Sequence, residues 1–347
     1  MSRDAAVREG FREQARWCER LGSPFTARLC TILAEILDPQ TAIGARVLDW
    51  PGETMRDALA LRLCGGLHAL VRGGDAPALA ALYPPAPLAE PQALARLLPL
   101  VLIERAVELD LWLDGPPQTN EVGRSGPLMA GLLVLADRFH LPFRLFELGA
   151  SAGLNLQLDL YAYDLGGTRA GAPDSRLRLE PGWKGGAPPS APVTIAGRAG
   201  VDLNPVDPLE EKERLLAYVW PDQPRRLAQL EAALDLAAAE PPRIEEGDAA
   251  DWLEARLTID PEPGVCRVVL HSVAFVYFPR EVQQRIRARL DEAGAMASEA
   301  APLAWLRLEK RAEDEHFSLR LRHWPGGGDE LLAWSHPHGT WIEWLAE

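Results

Sequence analysis

The hydrophobic pattern changes period once, close to His140, and that change limits the folds open to the chain. Ahead of it, from Asp4 to about Leu113, apolar residues recur at helical spacing: Phe11, Ala15 and Cys18 fall on one stripe, Leu59, Leu63, Leu67 and Leu70 on another. Breaks at Gly22-Ser23-Pro24, Asp38-Pro39, Pro51-Gly52, Gly73-Gly74 and Pro84-Pro85-Ala86-Pro87 cut these stripes into helices, with no alternating run between them. Behind it, short apolar runs lead through turns into helical patterns: 142–148, 197–205, 243–257, and "VCRVVLHSVAFVYFP" (265–279) followed by "PREVQQRIRARL". "APLAWLRLEK" (301–310) reads as a fifth strand, and the segments around Gly326-Gly327-Gly328 as a hairpin at the sheet's edge. Alternation of strand and helix implies parallel strands joined by right-handed crossovers. The expected fold is therefore α/β: a helical N-terminal domain (1–125) and a doubly wound, Rossmann-like domain (126–347). The latter carries a Gly/Pro-rich insertion at 160–196 and an antiparallel C-terminal hairpin.

A net charge of −14, from 36 basic and 50 acidic residues, opposes binding to nucleic acid or an anionic membrane surface. The most apolar segment, "ALARLLPLVLIERAVELDLWL", is interrupted by Arg96, Glu104, Arg105 and Glu108 and does not read as a membrane span. "MSRDAAVREGFREQARW" lacks the apolar stretch of a secretory signal, so a cytoplasmic location is expected. Cys18, Cys30, Cys64 and Cys266 form no closely spaced pair, which points to buried thiols rather than a disulfide framework or zinc cage. His336 and His338 lack an acid or Cys at ligand spacing, and no metal is expected.

"FELGASAGLNL" (146–156) admits two readings. As G-x-S-x-G it is a nucleophile elbow in which Ser151 attacks an ester, with His271, His336 or His338 as base. Such an elbow follows several strands and an upstream glycine cluster, whereas "FRLFEL" looks like the first strand and Cys64-Gly65-Gly66-Leu67-His68 lies in a helical pattern. As E-x-G-x-S-x-G it is a small-residue turn under a nucleotide-like cofactor, its amides and the next helix N-terminus near the ligand. Doubly wound folds bind ligands beyond the carboxyl ends of their strands. Those positions are Glu147 to Gly153, Asp202, Asp248 and His271-Ser272. Asp202 is placed for ribose hydroxyls and Asp248 for an adenine amine with Ala249 against the ring. The structural alternatives are a tight strand-to-helix turn at Gly149 and Gly153, a helix-capping role for Glu147, a turn-opening Asp202, an N-capping Asp248 and a structural His271.

"ELGASAGLNL", "GVDLNP", "EGDAADWL" and "HSVAFVYFP" resemble the four successive cofactor motifs of class I S-adenosylmethionine-dependent methyltransferases. Together with "GSPFTARL", "TNEVGRSG" and "HPHGTW", they make nearly the whole chain resemble a bacterial family catalogued as domain of unknown function 2332. The resemblance implies S-adenosylmethionine as cofactor, held by Glu147, Gly149, Ala150, Ser151, Gly153, Asp202, Leu203, Asp248, Ala249 and Ser272. His271 or Tyr277 is then the candidate base, although Tyr277 and Phe278 also read as core or pocket lining. Asn120, Glu121 and Arg124, in the loop between domains, are candidates to orient a small-molecule or protein acceptor; an Arg–Glu bridge pinning the linker is the alternative. The leading expectation is a methyltransferase-like enzyme. A serine hydrolase using Ser151 and a non-catalytic cofactor-binding or sensing protein stand beside it.

Overall fold

The computed structural model describes residues 2–88 and 90–346. The N-terminal stretch folds into α1 (Arg3–Arg20), α2 (Pro24–Ile36), α3 (Ala42–Leu48), α4 (Leu59–Arg72), α5 (Pro77–Ala80), α6 (Pro91–Glu104) and α7 (Ala106–Asp114). Then come α8 (Ser125–Phe139), β1 (Phe143–Leu148), a 3-10 turn at Leu154–Leu160, β2 (Ala162–Leu165), β3 (Thr168–Gly171), β4 (Arg178–Leu179), β5 (Gly182–Lys184) and β6 (Ile195–Asp202). The remainder is α9 (Lys212–Ala217), α10 (Pro224–Ala239), β7 (Ile244–Glu246), α11 (Ala249–Thr258), β8 (Cys266–Ser272), α12 (Arg280–Ala295), β9 (Leu303–Glu309), β10 (Phe317–Trp324), β11 (Glu330–Ser335) and β12 (Trp341–Trp344).

The chain divides into two compact units, Met1–Thr119 with Glu211–Ala228, and Asn120–Glu210 with Gln229–Glu347. This differs from a single boundary after residue 125. Asn120 Oδ1 accepts the Leu154 amide at 2.6 Å, so the loop from 120 goes with the sheet. Tyr218 meets Trp112 edge-on at 5.2 Å and Asp222 accepts the Phe25 amide at 2.8 Å, so 211–228 goes with the helices. Asp207 closes a turn, accepting the Leu209 and Glu210 amides at 2.8 and 3.2 Å, and α9 starts after it.

In the helical unit the stripes read from the sequence converge on one core that includes Phe11, Cys18, Phe25, Leu33, Leu63 and Leu67. Each such side chain contributes about 1.5–3 kcal/mol by leaving water. All four cysteines are free and buried, and burial pushes the Cys266 thiol up to about 12.

The second unit is built on a sheet of order β5-β12-β11-β10-β9-β8-β1-β6-β7. From β7 to β9 neighbouring strands are parallel, and β10, β11 and β12 pair antiparallel in sequence. Helices α11 and α12 cover one face through Leu253, Ile286 and Leu290 against Phe146, Val269 and Trp305. Helix α8 lies on the other face, Gly131 against Leu306. Strands covered on both sides read as unbroken apolar runs, and every residue of β8 is buried. The chain is thus mixed α/β, with a helical N-terminal region and a large, mostly parallel central sheet.

The expected hairpin forms between β10 and β11 but does not end the sheet. Strand β12 pairs with β11, and β5 from the 160–196 insertion pairs parallel with β12, Trp183 stacking on Trp344 at 5.8 Å. The rest of the insertion forms a separate sheet, β3-β2-β4.

Candidate functional site at the carboxyl ends of the parallel strands

Taken in chain order, the parallel strands lie third, second, first, fourth, fifth across the sheet, so the order reverses between β1 and β8. A crevice at that reversal is where doubly wound sheets hold ligands. The turn leaving β1 there has positive φ at three alternate residues: Gly149 (+69°), Ser151 (+52°) and Gly153 (+72°). A Cβ on Gly149 would lie 2.5 Å from Ala274 Cβ, and one on Gly153 2.7 Å from Ile244 Cδ1. The glycines therefore admit neighbouring protein atoms.

The amides of this turn are largely committed, contrary to the cradle expected from the sequence. Gly149 and Ala150 donate to Val201 O at 2.9 and 3.0 Å, Ser151 to Asp202 Oδ2 at 2.8 Å, and Gly153 to Ala150 O at 2.8 Å. The helix expected next is the 3-10 segment whose first amide, Leu154 N, is held by Asn120. The turn is therefore followed by a 3-10 segment whose first amide is already paired, not by the expected α-helix.

Two carboxyl groups lie beside the turn. Asp202, at the end of β6, accepts Ser151 N through Oδ2 and Asn204 N at 2.9 Å through Oδ1, which leaves one lone-pair direction on each oxygen. Leu203 beside it is exposed. Glu147, on β1, is 1% exposed and its Oε2 has no hydrogen-bond partner. Burial pushes its carboxyl well above the usual range and the nearby Asp202 charge adds to this, against a partial offset from Arg124. Glu147 is driven toward its neutral form, and a cation beside it would reverse that.

Asn120, Glu121 and Arg124 lie at these strand ends. Glu121 Oε1 accepts the Gly123 amide at 3.2 Å, and Arg124 donates from Nε to Pro337 O at 2.9 Å and from Nη1 to Ser272 O at 3.4 Å. Gly123 and Gly339 press backbone to backbone with no room for a Cβ on either. The "TNEVGR" loop and the "HPHG" turn are thereby clamped over the end of β8. His338 N donates to His336 Nδ1 at 3.1 Å, and no group of three or more His, Cys, Asp or Glu side chains suited to a metal occurs among the described residues.

Other candidates are placed differently. His271 is fully buried: its Nδ1 meets Glu309 Oε1 at 2.7 Å, its ring stacks on Phe275 at 4.8 Å, and its Nε2 is enclosed without a partner. The same Glu309 oxygen accepts the Ala274 and Phe275 amides, each at 3.0 Å, so the pair pins the loop after β8. His271 is thus enclosed by Glu309 and Phe275 rather than exposed at the strand ends. Tyr277 is 67% exposed, neither core nor enclosed pocket lining. Asp248 N-caps α11, Oδ1 accepting the Ala250 and Asp251 amides at 2.9 and 3.1 Å, with Ala249 buried beside it. Ser272 is buried, and the Ser151 hydroxyl, also buried, bonds to no imidazole, so the nucleophile–base contact of a hydrolase is missing.

Two residues escaped the sequence reading. Glu309 ends the apolar run "APLAWLRLE", and an acid at a strand terminus was a usable signal. Val273 adopts φ +53°, a conformation rare for a β-branched residue and one that no local sequence pattern announces.

A mostly parallel sheet that reverses order over a tight small-residue turn, with two acids and an arginine beside it, makes this an α/β protein. The chain belongs to the family described as "uncharacterized protein conserved in bacteria (DUF2332)", whose model matches residues 8–344. No curated protein matches it. No helix among the described residues is long and apolar enough to cross a membrane.

Proposed function

We propose that the α/β unit binds S-adenosylmethionine at the ends of β1 and β6 and serves a methyltransferase-like function on a small-molecule or protein acceptor. The observation that carries this reading is the buried, unpartnered Glu147 Oε2 beside Asp202 at the point where strand order reverses. A ligand with a hydroxyl pair and a cationic centre fits these groups. Asp202 keeps acceptor directions for the hydroxyls, and Glu147 gains its charge next to the cation. The cofactor, when bound, supplies an electrophilic methyl group on a sulfonium.

The chain's own task is to align an acceptor and keep water away, an effect that reaches about 7–11 kcal/mol in well-oriented reactions. Arg124, fixed through Pro337 O and Ser272 O, holds a positive charge by the crevice and suits an acidic or polar acceptor. Because His271 is enclosed, an acceptor that already presents a lone pair is favoured over one that must be deprotonated.

Calorimetric titration with S-adenosylhomocysteine tests the assignment. Wild type is expected to bind, and Asp202→Ala to bind at least about tenfold more weakly, a loss of about 1.4 kcal/mol. Absence of binding, or equal affinity in the variant, contradicts it. The enclosure of His271 also favours a second reading, cofactor binding without turnover. That protein would bind the ligand yet transfer no methyl group to any acceptor.

A further inference from the structure

A cavity of about 600 Å³ opens at the amino ends of the parallel strands. Arg144 and Arg267 stand directly opposite each other on the parallel neighbours β1 and β8. Gly197 and Ala199 on β6, in register with Arg144 and Phe146, leave the face open beside them. Arg256 from α11 and Arg198 from β6 also line it, against only Asp260 and Glu262, in a chain whose net charge is −14.

These arginines are incompletely paired. Arg144 Nη2 reaches Glu262 at 2.7 Å, Arg256 pairs with Glu245, and Arg198 pairs with Asp159 at 2.9 Å. Arg267 is 6% exposed, and its Nη1 approaches Ile259 O at 3.5 Å without a carboxylate partner. Buried N–H groups on Arg144 (Nε) and Arg267 (Nε) have no acceptor. Like charges directly across a strand pair repel, and a buried donor on a charged group left without an acceptor is destabilising. Burial, with Arg289 nearby, works against the Arg267 charge. A planar oxyanion removes both penalties at once, since guanidinium groups bind carboxylate and phosphate through paired hydrogen bonds. The walls beside them are apolar, from Phe146, Val265 and a largely exposed Ile259 at the rim.

We propose that this cavity binds a small organic oxyanion with an apolar body, its carboxylate or phosphate head on Arg267 and Arg144 and its hydrocarbon portion along Phe146, Val265 and Ile259. The site is separate from the Glu147–Asp202 crevice and independent of what binds there.

Titration of the full chain with acetate, hexanoate, inorganic phosphate and hexyl phosphate tests it and tells the two head groups apart. The chain-bearing member of at least one pair should bind at least about tenfold more tightly than its short counterpart. Arg267→Gln should weaken that binding by a similar factor. Because Arg267 is buried, Ile259→Glu provides a second variant at an exposed position; the added negative charge should also weaken binding tenfold, while Asp202→Ala leaves it unchanged. No binding by either chain-bearing anion, short and long members binding alike, or affinity untouched in both Arg267→Gln and Ile259→Glu overturns the proposal.

Discussion

Buried titratable residues set how each unit responds to pH. His68, in the helical core, has its Nδ1 3.0 Å from Ala217 O, and burial pulls its pKa from 6.5 to about 4. It stays neutral in the fold but takes a proton when unfolded below pH 6.5, so stability is full above 6.5 and lost as pH falls through 4. The span corresponds to about 3 kcal/mol. Urea unfolding across this range should show the loss in wild type and a flatter profile in His68→Gln; equal slopes would contradict it. Glu147 works with the opposite sign: its raised carboxyl keeps a proton in the fold, and stability declines as pH rises above the unfolded value of 4.5. That Glu147 sits at a strand end was legible in "FRLFEL"; that its carboxyl is pushed up was not, because its burial depends on packing from outside the local sequence.

At the scale of elements, the junction after β8 holds Val273 at φ +53°. Its N–H donates to Leu308 O at 2.9 Å, and Glu309 fixes the next two amides, so packing imposes a conformation the residue resists. Asn tolerates this region far better. Val273→Asn is expected to gain about 1 kcal/mol, or about 2–4 °C in Tm by calorimetry. An unchanged or lower Tm would show that the turn is not strained. The strands themselves were readable wherever an apolar run was buried on both faces, as in β8. The place of the hairpin inside the sheet was not. It depends on β5 joining β12 from more than a hundred residues upstream, a pairing no local pattern encodes.

For the whole molecule, the helical first part and the alternating second part were both visible in the change of hydrophobic period. The assignment of 211–228 to the helices was hidden, because its helical spacing is like that of any crossover segment and only contacts such as Tyr218 on Trp112 decide it. The candidate site was legible as residue types following strands. Its details were not: the turn amides are spent on Val201 and Asp202, His271 is sealed under Phe275, and burial pushes the Glu147 carboxyl well above the usual range. The most direct test is calorimetric titration of wild type and Glu147→Gln with S-adenosylmethionine in two buffers of different ionisation heat. Wild type should release a proton from Glu147 on binding and bind more tightly as pH rises, and Glu147→Gln should lose that release and bind about tenfold more weakly. No binding, or proton release identical in the two proteins, would contradict a cofactor cation beside Glu147.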